Sequence, residues 1–382
     1  MATTQQVRLF APLYPTLRLQ MTLPRSWWKS APFPFDNRSL HYFYMARNGI
    51  YALAKLWNLA DQEVLFPAYF HGIEIESLLA AGVKLKFYPV HAGMRVDVDE
   101  IRSCISPATR AVYVIHYVGF PGPIQEVSRL CQNRGIRLIE DCALALLSRL
   151  GDKPLGSFGD AAIFNLYKTL PVPNGGALLV RSPGPDRLPK ASRPTLSSTL
   201  AYTATAVWRH LKFQESRSTT NLLQQARKLA KSQCAKLGVV QVGSEHFDAS
   251  QSDLAMSRLC HWILAAQDFP EIVERRRSNY QRLMDRLRDL SRPIFPELPH
   301  GVCPLFYPFQ TRKKLDIIEH LFAHGMDAGN YWSQSLPIVP EGAFPEVDEL
   351  RQSIVELPCH QDFTTDDMDR IADVIWSCWR RL

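Results

Sequence analysis

The stretch that most constrains this chain runs from Ile136 to Gly176. Ile136-Arg137-Leu138-Ile139 is a short apolar run of the kind that fills a buried strand, and it ends in the acidic pair Glu140-Asp141. An α/β sheet keeps its ligands at the carboxyl ends of its strands, so these carboxylates stand where a site forms. A second run, Ala161-Ala162-Ile163-Phe164, follows a turn punctuated by Gly156 and Gly159 and delivers Asn165, Tyr167 and Lys168 at its own end. One Asp and one Lys therefore leave neighbouring strand ends.

Pyridoxal phosphate is the cofactor that wants such a pair. It needs a lysine amine to condense with its aldehyde, and a carboxylate against its ring nitrogen to keep the ring cationic and so an electron sink. Lys168 and Asp141 are the candidates for these catalytic roles. Either residue alone reads more simply, the Asp as a helix cap and the Lys as a solvated loop residue. Set together in the longer pattern, they favour the cofactor.

That pattern resembles the DegT/DnrJ/EryC1/StrS family of pyridoxal-phosphate enzymes. The match runs through Glu140-Asp141-Cys142-Ala143, Gly156-Ser157-Phe158-Gly159-Asp160-Ala161-Ala162-Ile163-Phe164, Asn165, Lys168 and Gly175-Gly176, and extends from about Ala46 to the C-terminus. The resemblance implies a fold of the aspartate-aminotransferase type (fold type I): an α/β domain with a mainly parallel sheet and a smaller α+β C-terminal domain. It also implies an aminotransferase that moves an amino group from glutamate or glutamine to a keto-sugar, usually nucleotide-linked, and a site shared between the subunits of a homodimer. The chain departs from the family at four places: Ile50 stands where a hydroxyl would meet the phosphate, Leu144 where His or Gln would bond the cofactor's phenolic oxygen, the segment before Lys168 is two residues shorter than the commonest family form, and the Asn-Tyr-Arg type signature is absent near residue 248. Dehydration or racemisation with the same lysine, and a non-catalytic regulatory role, are the rival readings.

Upstream, Asn48-Gly49 opens a segment in which Ile50, Leu53, Ala54 and Trp57 recur at helical spacing. Asn48 is read as the N-cap, with the amides of Gly49 and Ile50 leaving the helix end toward a phosphate. By resemblance, Asn48, Gly49, Ile50 and Asn165 bind the cofactor, and His71 stacks on its ring, with Tyr69 or Phe70 as substitutes. His116, at the end of the Ala111–Ile115 run, is expected to face the same rim. Short strands alternate with helices at the spacing of βαβ crossovers, and no G-x-G-x-x-G follows the first strand, which disfavours dinucleotide binding.

The domains are read as an extended arm over 1–40, a large cofactor-binding domain over 41–252 and a small domain over 253–382. Within the large domain, residues 186–238 carry ten basic side chains against two acidic ones, more than the whole chain's formal +7. Helical spacing of Leu200, Thr203, Ala204, Val207 and Leu211 suggests a basic amphipathic insertion, with weak contact to an anionic membrane surface as its functional reading and a packed structural insertion as the plainer one. No nucleic-acid partner is expected. Eight scattered cysteines form no C-x-x-C pair, so neither a metal site nor a disulfide framework is expected, and Cys142 reads as a small buried residue. The N-terminus lacks the basic start and apolar core of a signal peptide and nowhere do eighteen apolar residues run together, so the expected location is cytoplasmic. Asp253 to Arg288 reads as one long helix, and Thr365 to Trp379 as the last.

Overall fold

A computed structural model describes residues 10–23, 31–181, 188, 191–214 and 246–381. Its centre is a seven-stranded sheet in the order β1-β9-β8-β5-β4-β2-β3. The strands are β1 (Leu40–Phe43), β2 (Glu63–Pro67), β3 (Lys84–Tyr88), β4 (Thr109–Ile115), β5 (Arg137–Asp141), β8 (Ala161–Asn165) and β9 (Gly176–Val180), while Arg149–Leu150 (β6) and Lys153–Pro154 (β7) form a small antiparallel pair. From β3 through β8 the neighbours are parallel; β9 and β1 close one side antiparallel. Every residue of β8 is buried, as a strand covered on both faces requires.

The covering helices are α1 (Ala46–Leu56), α2 (Ile73–Ala80), α3 (Val98–Cys104) and α4 (Ile124–Arg134). Gly135, at φ +64°, takes the left-handed turn that ends α4 and lets the chain re-enter the sheet as β5. Then come α5 (Leu196–Gln214), α6 (Arg258–Ala265) and α7 (Phe269–Leu287). The single long helix expected over 253–288 is two, because Asp268 accepts the Glu271 amide as an N-cap and Pro270 sits in the first turn of α7.

A second sheet, β10 (Phe306–Gln310), β12 (Ile354–Pro358) and β11 (Gly329–Asn330), is antiparallel throughout. It is flanked by α8 (Lys314–Ala323), α9 (Pro345–Ser353) and α10 (Thr365–Trp379), the last opened by a reciprocal capping box between Thr364 and Asp367. Arg351 of α9 ties this unit to the large sheet, donating to the carbonyls of Ala68, Phe70, Trp332 and Gln334. The arm runs along the body: Ala11 bridges to Met326, and the Thr16 hydroxyl and amide both donate to Asp362.

Only the first part of the basic insertion lies within the described residues. There α5 turns opposite to the expected face: Leu200 and Leu211 are 65% and 49% exposed, while Ser198, Thr199, Ala206 and Phe213 pack inward. Small side chains let the helix approach closely, and that outweighs the leucine periodicity. Among the described residues, no helix is long and apolar enough to cross a membrane.

Candidate active site

Asp141 is the last residue of β5. Its Oδ2 accepts the Tyr113 hydroxyl at 2.7 Å and its Oδ1 the Ala143 amide at 2.8 Å, so both oxygens are oriented by neighbours. Burial, and then the nearby Glu74 carboxylate, raise its pKa to about 6, against the pull of those two donors and of Lys168. A buried carboxylate in this state suits a cationic partner. Lys168 leaves the turn after β8, with its backbone amide held by Asn165 Oδ1 at 3.3 Å, and faces the same cavity of about 700 Å³.

Glu140, one residue earlier, points to the opposite side of the strand. Although burial works to raise its pKa, hydrogen bonds from His116 and from the Gly159 and Gly156 amides hold it below the usual value. With the Phe158 amide at 2.6 Å these bonds pin the Gly156–Gly159 turn and thereby fix where β8 starts. His116 is spent on this anchor. The Gly122 amide donates to its Nδ1 at 3.2 Å, which leaves Nε2 to donate to Glu140 Oε2 at 3.2 Å, and the ring is fully buried outside the cavity wall. The expectation that His116 faces the rim is therefore corrected. Cys142 is likewise buried, and burial together with the flanking carboxylates Glu140 and Asp141 pushes its thiol well up, as an inert cysteine requires.

The helix end is also shifted from its expected position. α1 starts at Ala46 with Met45 as N-cap, so Asn48 is the third helical residue; its side-chain amide donates to the Gln251 carbonyl at 2.8 Å. Gly49 faces Leu178 and Phe43, against the sheet. Neither lines the cavity, whereas Ala46, Arg47 and Ile50 do. Gly176 makes this approach possible: a Cβ there would overlap the Ala46 amide nitrogen. Asn165 and His71 line the cavity. Tyr69 and Phe70 do not, being fully buried against Trp332 and Phe87.

Two carboxylates and two aromatic walls of the cavity go beyond the residues expected from sequence. Glu74, at the start of α2, accepts the His71 amide at 2.8 Å, and burial raises its pKa. Glu356 enters from β12 of the small sheet; burial raises it to about 7, against the pull of Lys168 and Lys314. Trp332 stands edge-on to His71 with centroids 6.5 Å apart, and Tyr14 of the arm completes the wall. The sequence signal for Glu356 is a lone charge inside the apolar run Ile354–Pro358. The residues present fit pyridoxal phosphate: a lysine, an oriented carboxylate and a helix N-terminus converge on one cavity of sufficient size.

Solved structures support the fold. A putative sugar aminotransferase from Streptococcus pneumoniae in its PLP form superposes with a TM-score of 0.69 over 97% of this chain and 99% of that one, at 13% identity. The aminotransferase TlmJ from Streptoalloteichus hindustanus gives 0.64 over 89% and 85%, at 21% identity. Among curated proteins, a dTDP-4-dehydro-2,3,6-trideoxy-D-glucose 4-aminotransferase from Saccharopolyspora spinosa is 23% identical over 333 residues, 81% of this chain and 76% of that enzyme. The similarity to GDP-perosamine synthase of Vibrio cholerae, 28% over 134 residues, covers 34% of this chain and only 36% of that enzyme's length. Residues 50–191 match the model of the DegT/DnrJ/EryC1/StrS aminotransferase family, about a third of the chain.

Proposed function

We propose that the protein is a pyridoxal-phosphate-dependent aminotransferase that takes an amino group from an amino acid, glutamate or glutamine, and gives it to a keto-sugar carried on a nucleotide. The observation that carries this reading is the convergence of Lys168 and the oriented Asp141 on one cavity. The names of the relatives, which refer to dTDP- and GDP-linked sugars, support the acceptor class.

Pyridoxal phosphate supplies an aldehyde that takes up amines and a ring that spreads the electron pair left behind when an α-proton departs. Everything else falls to the chain. Lys168 Nζ is the group that would hold the cofactor, and as a free amine it would accept and return the proton at the substrate carbon. Asp141, fixed by Tyr113 and Ala143, would as an ionised carboxylate favour a protonated ring nitrogen. The first turn of α1, at Ala46 and Arg47, offers amides and a helix dipole to the phosphate, with Asn165 close by. His71 and Trp332 supply flat surfaces for the ring. Tyr14 of the arm and Tyr202 and Arg209 of α5 wall off solvent on the substrate side. A homodimer and a cytoplasmic location belong to the same reading, and light scattering tests the first.

The test is covalent. Protein mixed with pyridoxal phosphate should turn yellow, and borohydride should fix the cofactor to the peptide containing Lys168. Lys168→Ala should abolish that linkage and Asp141→Asn should retain it. Glutamate alone should then bleach the yellow form. A cofactor found on no lysine overturns the reading, and linkage without bleaching by any amino acid shifts it to other chemistry of the same cofactor.

A further inference from the structure

Glu356 is built into its position. It sits in the central strand of the small sheet, opposite Pro308 on one side and Gly329 on the other. A Cβ at position 329 would overlap the Glu356 carboxylate, so the glycine is what lets this side chain extend. It extends into the cavity that contains Lys168. The two residues also border a side recess of about 10 Å³, the room of a single water, together with Tyr14 and Leu144.

What the carboxylate lacks is a partner. Among the described residues Glu356 has no hydrogen bond and no ion pair; it is half-buried in the cavity wall, with its carboxylate open to a partner that enters the cavity. Its two neighbouring cations differ in freedom. Lys314 donates to the Tyr331 carbonyl at 3.1 Å and the Arg351 carbonyl at 2.7 Å and is fixed. Lys168 is anchored through its backbone, on a four-carbon stem that swings.

We propose that Glu356 is the positioning residue for Lys168: whenever the lysine is not covalently engaged, its amine docks against this carboxylate across the recess, and the proton it carries passes from Nζ to Glu356 and back. In that transfer the ammonium becomes a neutral amine as the carboxylate becomes a neutral acid, so no further reagent is needed. Asp141 then serves the ring nitrogen and Glu356 the lysine. The idea rests on the assignment of Lys168 as the cofactor-bearing residue, but the pairing exists in the protein without cofactor and is tested there.

The groups that face Glu356 are Lys168, Lys314, Tyr14, Tyr69 and Tyr331; Lys168 also feels Asp141 and Glu74. Competitive acetylation of cofactor-free protein, read by mass spectrometry on the peptide containing Lys168, reports the neutral fraction of that amine against pH. In wild type the logarithm of reactivity should rise, pause in the window near pH 7 where Glu356 ionises, and rise again. Glu356→Gln should remove the pause and make Lys168 several-fold more reactive at pH 9, because the amine no longer has a carboxylate to dock against. Glu356→Asp should restore part of it. The pause should persist in Asp141→Asn, which assigns it even where Glu356→Gln fails to fold. A smooth wild-type profile, or a pause that vanishes in Asp141→Asn alone, overturns the proposal. Borohydride linkage to Lys168 is scored separately, so a failure of the cofactor assignment is distinguishable from a failure of the pairing.

Discussion

The Tyr113 hydroxyl donates to Asp141 Oδ2 at 2.7 Å from the neighbouring strand β4, in the register that sets Ile115 beside Asp141. The bond favours the ionised carboxylate. Tyr113→Phe should therefore raise the Asp141 pKa by about one to two units, since a hydrogen bond to a charged group is worth roughly 1.5–3 kcal/mol. The acid limb of the rate profile should move up with it, while borohydride linkage at Lys168 stays intact. An unmoved acid limb would show that Asp141 does not control it.

Gly176 and Ala46 are a second close pair, the strand β9 passing where helix α1 begins. Gly176→Ala should push the helix end off the sheet and cost about 1–3 kcal/mol, the usual range for overpacking. Urea denaturation measures the loss. Affinity for inorganic phosphate should fall in parallel, because the displaced element is the proposed phosphate end.

His91 joins the two sheets' units electrostatically. Its Nε2 meets Glu100 at 2.6 Å and its Nδ1 meets Glu346 of α9 at 2.7 Å, so the protonated ring has a carboxylate to accept from each nitrogen. Bonds to Glu346 and Glu100 raise its pKa above the ordinary value. A raised histidine stabilises the fold fully below its unfolded pKa of 6.5 and loses that contribution as pH rises through the folded value. Wild type should accordingly melt above His91→Gln at pH 6, with the gap closing by pH 9. A gap that is constant with pH would mean the contact is one of packing alone.

The placement of Asp141 and Lys168 on one cavity was legible because Asp141 ends one apolar run and Lys168 lies three residues past the strand formed by another, and the end of a buried strand is a place that local sequence marks. The helix end was not, since Met45 caps α1 with backbone alone and no side-chain bond, while Asn48-Gly49 imitates a cap three residues on. Glu74 and Glu356 reach the cavity from α2 and β12, so only the tertiary fold brings them to Lys168. The face of α5 was misjudged for a related reason: leucine periodicity reports where apolar residues lie, and Ser198, Thr199 and Ala206 report how near another element can come.

Asp141 should reveal itself as a destabilising residue in the cofactor-free protein. Its pKa is about 6 in the fold against an ordinary 3.8, with burial the main cause and Glu74 next. A carboxyl raised in this way contributes stability below pH 3.8 that is lost as the pH climbs through about 6, so at pH 8 the folded state bears the full burden of a buried charge. A rise of that size corresponds to about 3 kcal/mol. Asp141→Asn keeps the shape and the Tyr113 contact but removes the charge, so cofactor-free Asp141→Asn protein should melt above wild type at pH 8 and match it near pH 4. Adding pyridoxal phosphate should reverse the order at pH 8, because the ionised carboxylate then has its cation and the amide does not. Calorimetry of both proteins, with and without cofactor, makes the comparison. A wild type that is the more stable of the two at pH 8 without cofactor would show that the carboxylate is satisfied by the protein itself and not reserved for a ring nitrogen.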